Sequence, residues 1–297
     1  MRRVFLFVLT NIAVLLVLSI VTHVLGVDRW LTTRGINFGM LLAFSAVIGF
    51  GGSFISLAMS KWIAIHAYSI QIIEKPANRD EAWLSDTVGE LAQKAGVPKP
   101  QVGIYESPEV NAFATGASQR RSLVAVSSTL LRTMPEDEIE SVLAHEMTHV
   151  ANGDMVTMAL LQGVLNTFVV FLSRVIGFVI DQAMRRGDDE REHMGGGVGY
   201  YIASFVCEII FSVLASIIVM SFSRRREFRA DAGAAALKGK QPMIAALQRF
   251  QQITERGGVL DERSATVSAF KINNKAGSLF ASHPPLEARI AALEKLP

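Results

Sequence analysis

The chain has almost no cysteine. Cys207 is the only one in 297 residues and lies in an apolar run, so no intramolecular disulfide and no thiolate metal cluster is available. A metal bound here must be held by histidine and carboxylate, a donor set that suits a catalytic zinc better than a structural one. Charge of one sign is also scarce. The net +2, from 29 basic and 27 acidic side chains, is too small to argue for nucleic acid as a partner. No internal repeat or low-complexity tract is present. Polarity itself is in short supply: half of the residues are hydrophobic and the mean hydropathy is positive, which excludes a typical soluble enzyme and points to membrane segments.

Four apolar runs follow from that composition. Val4 to Leu25, preceded by Arg2 and Arg3, is long enough to cross a bilayer, which takes about 20 helical residues. Its length, and the lack of a small-x-small cleavage site after Leu25, favour a span over a cleaved leader. Phe38 to Met59 ends at Lys61 and Trp62, a cation and an interfacial aromatic. Met155 to Ile180 and Val198 to Phe222 form a second hairpin, with one charge in each arm, Arg174 and Glu208. In an antiparallel hairpin those two fall in the same half of the bilayer, which leaves two readings: they pair with each other, or Arg174 snorkels while Glu208 faces protein or water. The basic residues at Arg2, Arg3, Lys61 and Arg224 to Arg229 all lie on one side of a four-span arrangement, which makes that side the cytoplasm.

Between and after the hairpins the composition is that of a soluble domain. The expected division is an N-terminal transmembrane hairpin over 1–60, a first catalytic segment over 61–154, the second hairpin over 155–222 and a second catalytic segment over 223–297. An amphipathic helix is expected from Asp80 to Ala95, stopped by Gly96 and Pro98. Short extended segments follow at Gln101 to Tyr105 and Leu123 to Val126. Pro135 then opens a helix with three carboxylates in its first turn, Glu136, Asp137 and Glu138. Ile139, Val142, Leu143, Met147 and Val150 form its apolar stripe, leaving its histidines on another face. This helix is expected to run on into the third apolar run. Further helices are expected over Met243 to Ile253 and Pro285 to Leu296. The fold class is thus a mainly α integral membrane protein: four transmembrane helices and a cytoplasmic α+β domain with a small sheet.

The chemistry concentrates at His145-Glu-Met-Thr-His149. Helical residues four apart share a face about 6 Å apart along the axis, so both imidazoles can reach one metal, with Glu146 near a metal-bound water. A hydrolytic zinc needs a third protein ligand. Of the other histidines, His23 and His193 fall on or near the wrong side of the membrane and His66 lies close to the interface; His283 is the fourth. Glu227-Phe-Arg-Ala-Asp231 is the stronger source: Glu227 can ligate, and Asp231 one turn on can accept the N–H of a zinc-bound histidine.

These motifs, together with Asn152-Gly-Asp154, Asn111-Ala-Phe-Ala114 and His283-Pro-Pro-x-x-x-Arg289, resemble the HtpX-type membrane zinc metalloproteases, gluzincins related to the CAAX prenyl proteases. The resemblance implies a zincin-like domain with one Zn²⁺ per chain on His145, His149 and Glu227, and Glu146 as catalytic base. It also implies an edge strand at Asn111 to Gly116 beside the cleft, placing Asn111, Ala112, Phe113 and Ala114 against substrate, and it puts His283 and Arg289 close to the site, where they are candidate donors to a transition-state oxyanion. For that pair a purely structural role stays open: His283 precedes a proline pair at a helix start, and Arg289 can form an ion pair. The expected partners are protein or peptide substrates and the lipid bilayer, with no oligomeric state specified. The expected setting is the bacterial cytoplasmic (inner) membrane, in multi-pass topology, and the expected task is quality control of misfolded or damaged membrane proteins. The CAAX-processing relatives carry more spans than this chain has room for, which weighs against prenyl-protein processing. A non-enzymatic membrane zinc sensor or adaptor is the other alternative, and would have no need of Glu146.

Overall fold

The computed structural model describes residues 37–184, 198–255 and 281–296. The first apolar run, Val4 to Leu25, lies outside the described residues, as do His23, His193 and the link carrying Asp188 to Glu192. Among the described residues the protein is mostly helical, with three helices long and apolar enough to cross a membrane and one small mixed sheet. Those helices are α1 (Phe38–Ala67), α5 (Asp154–Met184) and α6 (Val198–Lys238). The described residues fall into two compact units, one of 37–56, 157–184 and 198–219, the other of 57–156, 220–255 and 281–296.

In the first unit the helices meet where they carry small residues. Gly49 faces Gly163 and Thr167, Phe50 covers Gly163, and Gly177 faces Ser204 so closely that a Cβ would overlap the serine hydroxyl. Without a hydrophobic driving force between helices in lipid, such close backbone approach supplies the packing. Large apolar side chains such as Met40, Val47, Phe205 and Ile209 point outward. Arg174 and Glu208 are both half-buried, and among the described residues no ion pair joins them, so the pairing considered from their depth is not made.

The second unit is built on a four-stranded sheet, β1 (Gln71–Ile72), β2 (Gln101–Tyr105), β3 (Ala112–Thr115) and β4 (Leu123–Ser127), in the order β1-β2-β4-β3. β4 is the buried centre, parallel to β2 and antiparallel to β3. It is buried throughout, with alternate residues on two packed faces. Val124 and Val126 join the main core, while Leu123 and Ala125 pack with Tyr105, Ile70 and the rings of Tyr68 and Phe113 on the opposite face. β3 is left as an edge strand. Helices cover the main-core side. In α2 (Arg79–Ala95) the side chain of Asn78 accepts from Glu81 N–H, Glu81 returns a bond to Ala77 N–H, and Gly96 closes the far end in the left-handed conformation. A short α3 (Ser128–Thr133) precedes α4 (Glu136–Asn152), and α7 (Lys240–Glu255) packs with α8 (Leu286–Glu294) on the same core.

One expectation about helices needs correction. The HEMTH helix does not run on into the next apolar run: α4 stops at Gly153, whose φ of 65° breaks the helix, and α5 starts afresh at Asp154. The helix of the fourth run extends past its apolar stretch. α6 continues without a break through the arginine cluster to Lys238, carrying Glu227 and Asp231 on its last turns. Arginine and glutamate are good helix formers, so the change in polarity after Phe222 is no stop signal.

Candidate metal centre

The site lies entirely within the second unit, where α4 and the last turns of α6 face each other. His145 and His149 are one turn apart on α4, and the apolar stripe from Ile139 to Val150 fixes that helix against the core. The histidines were expected on an open polar face. They are instead buried, at 6% and 8% exposure, because α6 lays the fully buried Glu227 and Asp231 over them.

The three donors converge. His145 Nε2 lies 3.1 Å from His149 Nε2, His149 Nε2 lies 3.3 Å from Glu227 Oε1, and His145 Nε2 lies 3.5 Å from Glu227 Oε2. A tetrahedral Zn²⁺ about 2.0 Å from each ligand would space its donor atoms about 3.3 Å apart. Glu227 Oε1 is buried and, among the described residues, makes no hydrogen bond, which leaves a carboxylate oxygen directed at the histidines with its demand unmet. The residues therefore fit a metal ion.

A second layer orients these donors. His145 Nδ1 donates to Asp231 Oδ1 at 2.9 Å, and His149 Nδ1 donates to Asp154 Oδ2 at 2.6 Å, so each ring keeps Nε2 for the metal side. Arg289, from α8, grips Asp231 with two bonds of 2.6 and 2.8 Å and lies 3.7 Å from Glu227 Oε2. Its fork is thus committed to Asp231. His283 is half-exposed and donates through Nδ1 to Glu227 Oε2 at 2.8 Å. Glu146 Oε2 accepts the backbone N–H of Ala114 on the edge strand at 2.9 Å. Ala114 and Ala112 alternate with the residues that bond β4, so both present main-chain groups outward. Phe113 turns its ring into the aromatic cluster with Tyr68 and Tyr105, and Asn111 N–H is bonded to Ser127 Oγ. His66 stands apart, bonded to Trp62 O.

Burial opposes charge on His145, yet the carboxylates of Asp231 and Glu227 outweigh it and raise the pKa to about 9. Burial likewise acts against ionising Glu227 and Asp231, but the closeness of His145, His149 and His283 to Glu227, and of Arg289 and His145 to Asp231, holds both carboxyls well below the usual range. The polar run of α6 that holds these groups lies beyond the apolar stretch.

Asp154 as the partner of His149, and Ala114 N–H as the partner of Glu146, were not assigned from the sequence. The signal for Asp154 was present: a carboxylate directly after a glycine at the end of the HExxH helix.

A buried histidine pair one turn apart, closed by a carboxylate from a distant helix, is a donor set able to hold a metal, and with the family match it makes this chain a membrane metallopeptidase. The chain belongs to peptidase family M48, whose sequence profile matches residues 78–297. It is 55% identical to the Protease HtpX homolog of Methylacidiphilum infernorum, across 100% of this chain and 99% of that one. It is 56% identical to the Protease HtpX homolog of Chlorobium phaeobacteroides, across 99% and 95%. Its fold is similar to the crystal structure of S. mikatae Ste24p, with a TM-score of 0.62 at 19% identity over 99% of this chain and 67% of that one.

Proposed function

We propose that the protein is a zinc endopeptidase of the bacterial inner membrane, with its site on the cytoplasmic side, that hydrolyses peptide bonds of misfolded or damaged membrane proteins. The observation that carries the reaction is the tetrahedral spacing of His145, His149 and Glu227, with Glu146 between the histidines on α4 and bonded to the edge strand through Ala114 N–H. His145, His149 and Glu227 would hold one Zn²⁺, which when bound would supply Lewis acidity toward a water and the scissile carbonyl. Glu146 takes the proton of the attacking water and gives it to the leaving amine, so atoms and charge balance across the step. An extended peptide adds to β3 at the outward main-chain groups of Ala112 and Ala114, giving affinity with little demand on sequence. His283, half-exposed and attached to Glu227, is the side chain positioned to approach substrate, while Asp231 and Asp154 hold the rings and Arg289 holds Asp231. The excess of basic residues at Lys61 and Arg224 to Arg229 supports the cytoplasmic orientation.

The test uses the full-length protein purified with zinc and an unfolded substrate such as casein. Glu146→Gln should retain one zinc per chain and lose cleavage by about a thousandfold. Full cleavage by that variant would refute the base assignment, and a zinc-loaded wild type that cleaves nothing would refute the enzyme reading.

A further inference from the structure

The metal ligands come from two helices, and their spacing depends on how closely those helices approach. Gly233 lies on α6 two residues beyond Asp231, and Thr148 lies on α4 beside His149. A Cβ on Gly233 would overlap Thr148 Cγ2, and would stand 2.7 Å from its Oγ1 and 3.1 Å from its Cβ. Gly233 sits inside a helix and outside the left-handed region, so its backbone does not demand glycine. Glycine is a poor helix former there, and what calls for it is space. Thr148 has little freedom to yield: it is buried, and its hydroxyl donates to Ala144 O at 2.8 Å. Ala144, Ala230 and Ala234, all fully buried, line the same approach.

We propose that Gly233 is a positioning residue for the metal centre. By admitting Thr148 it sets the helix separation at which Glu227 reaches both histidine Nε2 atoms and Asp231 reaches His145 Nδ1. Relieving the overlap by moving α6 would take on the order of 1 Å, against a metal-ligand tolerance of about 0.2 Å. The inference rests on the metallopeptidase reading given above.

The experiment loads the full-length protein with Co²⁺ and records its visible absorption, which reports tetrahedral coordination directly, alongside Co²⁺ affinity. Wild type should show tetrahedral bands. Gly233→Ala should lose them and bind at least about tenfold more weakly. Gly233→Ala combined with Thr148→Ala, which removes the two nearest atoms, should regain both, and it carries the test where Gly233→Ala alone fails to fold. Gly233→Ala with wild-type bands and affinity overturns the positioning role. A double variant that stays unfolded, or folds without regaining the bands, overturns it as well. Absence of bands in wild type would instead remove the metal-site reading on which the inference stands.

Discussion

His145 and His149 are held by partners of different origin, and the difference sets what substitution should do. Asp154 belongs to the turn just after the HExxH helix and acts on His149 alone at 2.6 Å. Asp154→Asn should therefore weaken zinc binding about 10- to 100-fold with the fold intact, measured by competition with a chromophoric chelator; unchanged affinity would show the contact to be idle. Ala114 offers a second test, because its N–H points away from β4 to Glu146. Ala114→Pro deletes that donor at an edge position where proline costs no ladder bond. It should lower kcat roughly tenfold or more while zinc content holds, the loss expected for a hydrogen bond to a charged group. The HExxH spacing and Glu227-x-x-x-Asp231 are legible in sequence because helical period places them. Asp154 was not assigned, since a helix read as continuous through residue 153 would carry it away from His149. The contact exists only because Gly153 turns the chain.

Turns and helix ends hold the same lesson for whole elements. Gly153 has a φ of 65° and open space around a Cβ, so Gly153→Ala should cost only the backbone penalty, about 1 kcal/mol, seen as a lower thermal midpoint. A loss of several times that would mean the turn also carries packing. The long amphipathic elements, α2 and α4, could be read from period and caps. β1, with 2 residues, and α3, with 6, were not read, because neither is long enough to show a period. Burial of the histidines was also hidden. It depends on α6, which continues to Lys238 and lays Glu227 and Asp231 over them.

For the molecule as a whole, the charges of the site couple its stability to pH and metal. Glu227 and Asp231 have depressed pKa values, so their contribution is present above the unfolded carboxylate value of about 4 and is lost as pH falls through the folded values. His145 is raised to about 9, so its contribution is present below the unfolded value, about 6.5, and is lost as pH rises through the folded one. Chelator-treated protein should thus lose thermal stability between about pH 6.5 and 9. Zinc-loaded protein, whose ligating histidines are neutral, should not show that alkaline loss, and identical profiles would contradict the assignment. Arg289 has one more consequence, which concerns time. It closes on Asp231 from 58 residues further along the chain. A polypeptide still leaving the ribosome holds both histidines and both acidic partners well before that arginine is made. The Asp231–Arg289 contact can therefore form only after Arg289 has been synthesised, and that residue follows His145, His149, Asp154, Glu227, Asp231 and His283 in chain order.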